Sequence, residues 1–334
     1  KLNGMWVEGI NIDNPGRDGY IKMTRRFAGR ARERFWEIDF LRGLCVFLMI
    51  FDHFMHCIIN VMPTINGMLG THLFEDWYQA ARWYCYSWDL RQQVWLLTTS
   101  CFFLLCGVSC TLTRGNFRRF VPLALVAVGI TAVTSILDDT LFAGSNFYSL
   151  IQYGVIHMIA AGIFFYAMLD NAAAAIAESL GKSRRAQRAK KLVRFLPGLF
   201  GAALLIVYLT CFGHFSTTGG FWRFTTDVTL QDILGAGATQ EQGNFLSIFL
   251  DLKGFNYRSS DYFPMLPYIA FILLGGIVGR LIYHTDAKHA FTRFDGAWNK
   301  PLCFLGRHAA FIYVTHMIAI PCILALFALF ASLF

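Results

Sequence analysis

Long apolar runs alternate with short polar intervals from Phe40 to the C-terminus. Seven runs have spanning length, at about 40–62, 93–113, 120–137, 149–169, 194–212, 264–283 and a last one beginning near 302. Each is close to the roughly 20 residues a helix needs to cross bilayer hydrocarbon. The last run, to Phe334, is longer than one span, so Pro321 is expected to kink it or to begin a final interfacial or re-entrant piece. Ala172–Ala177 reads as a short cytosolic helix of its own. In lipid the backbone N–H and C=O groups must be satisfied inside each segment. The pattern therefore predicts an all-α, polytopic membrane helical bundle over residues 37–334, behind a basic N-terminal segment over 1–36.

Composition agrees. The hydrophobic class is 56% of 334 residues and the charged class 15%, where soluble domains carry about 25% charged residues. Mean hydropathy is +0.47. The net charge of +8 sits in short clusters between apolar runs, which encodes topology rather than nucleic-acid binding. With the N-terminus in the cytoplasm, only five of the 29 Lys and Arg residues fall outside: Arg82, Arg91, Arg223, Lys253 and Arg258. Six or eight crossings would spoil that asymmetry. The expected location is the plasma membrane, as a multi-pass protein. The first 39 residues have no secretory signal, and Lys1–Lys22 reads as non-native or upstream of a start at Met23. Nine cysteines lack metal-ligand spacing, so no metal is expected and they read as small buried hydrophobes.

Two outer stretches differ from the inner ones. Phe74–Trp95 carries four Trp and three Tyr residues, suited to an interfacial aromatic belt or to stacking on sugar rings. Gly213–Phe263 is a loop long enough to fold over an entrance from outside.

Ionisable groups inside spans are costly and point to function. The first run holds Arg42, Asp52, His53 and His56. Arg42 and His53 share a helix face, about 16 Å apart along the axis, and Asp39 is placed to pair with Arg42. At about 1.5 Å per residue, His53 lies roughly 13 Å from the outer end of its run and His157 roughly 12 Å. His316 lies about 21 Å from the inner start of the last run. In a core of about 30 Å these three fall in one layer and predict a buried polar site. A histidine taken alone reads equally as a hydrogen bond to a neighbouring helix.

The stretch Glu37–Leu44 (EIDFLRGL), followed by Met49 and Asp52-His53-Phe54, resembles the opening of the bacterial heparan-alpha-glucosaminide N-acetyltransferase-like family, within the wider transmembrane acyltransferase superfamily. Phe102–Ser109, Gly154–Met158, Asp261–Pro267, and Gly306-Arg307 with Tyr313 and Thr315-His316 resemble the same family, in order. Ala309-Ala310 and Cys106 depart from its usual Ser-Leu and Ser. The resemblance implies transfer of an acetyl group from cytosolic acetyl-coenzyme A to an amine or hydroxyl of a saccharide or amino-sugar acceptor at the far face of the bilayer. It makes His53 the expected general base, oriented by Asp52 or His157, with His316, Tyr313 and Asp261 near the acceptor or the developing oxyanion. Arg42, Arg118, Arg119 and Arg307 are the expected phosphate ligands. Direct transfer and a covalent acetyl-histidine both remain open, and a homo-oligomer is compatible with either. Two other classes fit intramembrane histidines: a transporter or flippase of a small polar solute, and a haem- or quinone-binding redox protein.

Overall fold

The computed structural model describes residues 6–7, 10–11, 34–113, 115–140, 150–217 and 222–333. The expected start at Met23, the basic cluster from Arg25 to Arg32, and Arg114 lie outside these residues. Two compact units separate at Trp36. The first, Lys1–Trp36, contains a two-stranded antiparallel pairing of β1 (Trp6–Val7) with β2 (Ile10–Asn11).

The second unit, Glu37–Phe334, is helical. Its elements are α1 (Trp36–Asn60), α2 (Met62–Leu69), α3 (Glu75–Tyr86), α4 (Asp89–Thr111), α5 (Asn116–Thr140), α6 (Val155–Ser179), α7 (Arg184–Val193) and α8 (Leu196–Val207). The hairpin β3 (Gly213–Ser216) and β4 (Arg223–Thr226) follows, then α9 (Leu230–Leu234), α10 (Gln240–Ser247), α11 (Met265–Tyr283), α12 (Lys300–Arg307) and α13 (Ala309–Ala331). By length and composition α1, α4, α5, α6, α11 and α13 can each cross a membrane. Helix α7 meets the run Leu196–Phe212 at a bend of 53°, and the two make a seventh crossing if counted as one span. The chain is an integral membrane protein.

Helix α11 is central: it packs against α4, α8 and α6, and over half of its most apolar window is buried. Phe103, Met158, Ile163, Tyr166, Ile272 and Leu273 fill the space between these helices. On α5 only 6% of the corresponding window is buried, as suits a helix whose sides face lipid. Helices this apolar gain little from mutual hydrophobicity in lipid and rely on close packing. A Cβ on Gly107 would collide with the Ile272 carbonyl, and one on Gly275 with the Leu104 carbonyl, so α4 and α11 touch backbone to backbone. The crossing of α1 with α12 has the same character, since Cβ atoms on Gly43 and Gly306 would strike the Leu302 and Asp39 carbonyls. Gly43→Val is expected to cost on the order of 3 kcal/mol or more through overpacking. Gly67→Ala, which meets nothing within 4 Å, is expected to be nearly neutral. Thermal melting of the two variants in detergent checks the contrast.

Several sequence expectations change. Residues 172–177 continue α6 rather than forming a separate helix, and α6 begins at Val155, six residues later than the apolar run. Helix α13 runs through Pro321, and the break falls at His308 between α12 and α13. The aromatic stretch is folded into α3 and the start of α4. The segment after Gly213 is ordered over its described residues by the hairpin and by capped helices. Thr229 accepts from the Asp232 N–H and Thr239 from the Gln242 N–H, each satisfying an otherwise orphan first-turn donor. It docks on α11 through Met265 N–H to Ile248 O (2.9 Å) and Leu266 N–H to Phe249 O (2.8 Å).

Candidate active site

His53 on α1 and His316 on α13 meet ring to ring, with centroids 4.7 Å apart and planes at 89°. His53 follows Gly43, and His316 follows Gly306, by the same ten residues, so both rings lie on the same side of the glycine crossing. Each ring is held by its own helix: His53 Nδ1 lies 2.9 Å from Met49 O, and His316 Nδ1 lies 2.7 Å from Tyr313 O. A carbonyl only accepts, so both Nδ1 atoms carry the proton, and in the neutral rings both Nε2 atoms are lone-pair acceptors. His316 is 4% exposed, and among the described residues its buried Nε2 has no hydrogen-bond partner. Leaving a buried acceptor unpaired costs about 1–3 kcal/mol, which marks it as a group kept for something else.

Next to the pair, the Tyr313 ring lies 5.4 Å from His316 and its hydroxyl donates to Asp261 Oδ2 at 2.6 Å. The same oxygen accepts from Val155 N–H at 3.2 Å, so Asp261 joins α13 to the N-terminus of α6, where a negative charge is favoured. Asp261 and Tyr313 therefore use these atoms on each other.

His157 is not at the pair. Gly154 N–H donates to its Nδ1 (3.2 Å), and its Nε2 lies 3.0 Å from Thr131 Oγ1, whose own proton goes to Ile151 O. Both ring nitrogens are thus committed, in the tautomer opposite to that of His53 and His316, and the ring caps α6 and ties it to α5. The later start of α6 explains the difference: His157 falls in the first turn instead of deep in a span.

Asp52 does not orient His53 either. Asp52 is buried, and its carboxylate takes a two-point contact from Arg91, with Nε to Oδ1 at 2.7 Å and Nη2 to Oδ2 at 2.6 Å. Tyr84 Oη donates to Oδ1 at 3.4 Å, and Arg91 Nη2 also reaches His56 Nε2 at 3.1 Å. Burial, with the Asp52 carboxylate beside it, pushes the Tyr84 phenol up to about 12, so it stays a donor. This cluster ties α3 and α4 to α1 one residue before His53. The sequence marks His56 only as an ionisable group of the first run and leaves Arg91 and Tyr84 in the outer stretch, although a carboxylate at that depth requires a cation nearby.

Toward the start of α1 lies a basic cluster. Arg42 donates to Ser109 Oγ and, at 3.3 Å, to Leu105 O. Arg119 reaches Ser109 O, Thr113 Oγ1 and Asn116 Oδ1 at 3.3–3.5 Å. Asp39 lies 4.0 Å from Arg42 and 3.3 Å from Arg307. Arg42 and Arg307 thus share one carboxylate, and among the described residues Arg119 makes no ion pair, so the cluster keeps net positive charge. Arg118 is exposed and does not join it. Ser109, the hub between Arg42 and Arg119, was visible in the sequence only as part of a family-like stretch.

The arrangement places a cluster of net positive charge about 16 Å along the helix from a pair of imidazoles whose Nε2 atoms make no hydrogen bond among the described residues. A family model described as heparan-alpha-glucosaminide N-acetyltransferase, catalytic, matches residues 34–181 and 198–318. No curated protein and no solved structure matches the chain.

Proposed function

The chain belongs to the heparan-alpha-glucosaminide N-acetyltransferase catalytic family, and we propose that this integral membrane acetyltransferase takes acetyl from acetyl-coenzyme A at its basic end and gives it to an amino sugar or related saccharide arriving from the opposite end. The observation that carries the reading is the His53–His316 pair, with its free Nε2 atoms, in line with the Arg42 cluster. The N-terminus is then cytoplasmic and the chain sits in the plasma membrane.

The donor supplies a thioester, and its anionic nucleotide suits the charge left over at Arg42, Arg119 and Arg307; Arg favours two-point contacts to phosphate. His53 is the general base. Its Nε2 takes the proton of the acceptor amine or hydroxyl as that nitrogen or oxygen forms its bond to the acetyl carbon, and the proton passes to the departing thiolate. Met49 O holds the ring in the required tautomer. His316 packs at its edge and offers a second acceptor to the incoming group.

Arg42→Ala is expected to raise the donor KM by about tenfold or more, the worth of a hydrogen bond to a charged group; an unchanged donor KM removes Arg42 from the donor site. The proposal as a whole is tested by incubating purified protein with acetyl-labelled coenzyme A thioester and a panel of amino sugars, and weighing the products by mass spectrometry. Acetylated sugar is the expected result. Thioester left intact with every acceptor overturns the reading.

A further inference from the structure

The β3–β4 hairpin, the stretch around Asp251, and the starts of α4 and α11 enclose a cavity of about 380 Å³, within the range of small-molecule sites, roughly 300–1,000 Å³. Its walls are aromatic, with Trp95, Trp222, Tyr262 and Tyr268 among them. Three of these rings are braced from behind. Trp95 stacks on Phe263 at 5.7 Å, Trp222 meets Phe215 edge-on at 6.1 Å, and Tyr262 lies 4.7 Å from Tyr257. Tyr262 is also pinned by its hydroxyl, which donates to Ser247 O at 2.6 Å. Such rings lose little freedom when a ligand arrives, and that favours binding.

Of the other polar groups on the wall, Gln92 is spent on Cys85 O and Tyr208 on Thr226 Oγ1, and three remain. Among the described residues neither Arg223 nor Asp251 makes an ion pair, and the Tyr268 hydroxyl makes no hydrogen bond. Desolvation by the surrounding rings pushes the Asp251 carboxyl above its ordinary value, with the Arg223 guanidinium opposing. A ligand that donates to this carboxylate, above all a cationic one, relieves that cost. Flat apolar faces together with one acid, one base and one hydroxyl suit a ring that has an apolar C–H face and an equator of hydroxyl or ammonium groups.

We propose that this cavity is a saccharide-binding subsite, in which Trp95 and Trp222 cover the apolar face of a pyranose while Asp251 and Arg223 bind its substituents, with an ammonium-bearing ring preferred. Its place in the chain fits this role. Tyr262 lines the cavity, and the preceding residue, Asp261, holds Tyr313 beside His316. A ring seated here adjoins the path to the histidine pair and selects the acceptor. The inference rests on the transferase reading for its purpose but not for its chemistry.

The test is calorimetric titration of the full chain in detergent, without donor, using glucosamine, glucose and glycerol as probes. Glucosamine is expected to bind more tightly than glucose, and glycerol not to bind. Trp222→Ala and Asp251→Asn are each expected to weaken glucosamine by about tenfold, and Tyr268→Phe, which conserves the ring, to weaken it less. No binding by the natural chain, glycerol binding as well as glucosamine, or unaltered affinity in both the Trp222 and Asp251 variants overturns the subsite, whatever the transfer assay gives. Affinity lost in those variants, with melting temperatures preserved, upholds the subsite even where no acetyl transfer is found, and in that case the transferase reading alone fails.

Discussion

His53→Ala is expected to lower acetyl transfer by roughly a hundred- to ten-thousand-fold, the range a positioned general base contributes, while donor binding persists. Among the described residues the ring makes one hydrogen bond, to the carbonyl of its own helix one turn earlier, so removing it breaks no hydrogen bond between helices and the fold is expected to survive. What goes is the acceptor nitrogen beside His316. His53→Gln is the sharper variant, because it keeps polarity and bulk without a basic nitrogen near pH 7. Equal turnover in the Gln variant and the natural chain would show that no proton passes through this position. Donor binding measured on the same preparations separates a chemical defect from loss of protein.

The second large effect is on stability. Arg91→Ala leaves the Asp52 carboxylate in a nearly dry environment, where the two side chains are 10% and 12% exposed. Removing one partner of a buried ion pair costs about 3–5 kcal/mol, much of it from the charge left behind. The Asp52→Leu, Arg91→Met double variant is expected to recover most of that stability, since neither charge is then stranded. Arg91→Lys is expected to recover less, because an ammonium cannot reproduce the two-point contact to Oδ1 and Oδ2. Melting of the four proteins in detergent reads the effect. A double variant no more stable than Arg91→Ala would mean that the cluster acts through something other than its charges.

The sequence disclosed the spans and one half of the site. Counting residues from span ends placed His53 and His316 at one level, and their rings do meet. The arithmetic worked there because α1 begins and ends close to its apolar run and α12 starts near residue 302. It failed for His157 because residues 150–154, mostly apolar and continuous with the run that follows, are not helical. They are laced to the 259–263 segment instead, through Ser260 N–H to Leu150 O and Phe263 N–H to Tyr153 O, and hydropathy does not separate an extended apolar strip from a helix. Assigning Asp52 to His53 ignored helix geometry: neighbours i and i+1 point in different directions and do not face each other. Asp52 faces Arg91, which counting positive charges had set down as an outer-loop residue.

The basic cluster was legible as charge but not as architecture. Arg42, Arg119 and Arg307 come from three helices, and only the fold brings the first two onto Ser109 and joins the third through Asp39. Arg118, one residue from Arg119, points away because a step of one on a helix turns the side chain by about 100°. Family membership likewise fixes the class of chemistry and leaves the details to this chain, where Tyr313 is held by Asp261 and the wall beside them belongs to the hairpin segment.

The central claim is that donor and acceptor reach one histidine pair from opposite ends of the bundle. It is tested most directly in sealed vesicles of uniform orientation that carry glucosamine on the side of the β3–β4 hairpin. Acetyl-labelled coenzyme A thioester is then added to one face at a time. The account predicts labelled sugar when the thioester is supplied at the Arg42 end and none when it is supplied at the hairpin end. Labelling that proceeds with both substrates on the hairpin side, and not across the membrane, would contradict it.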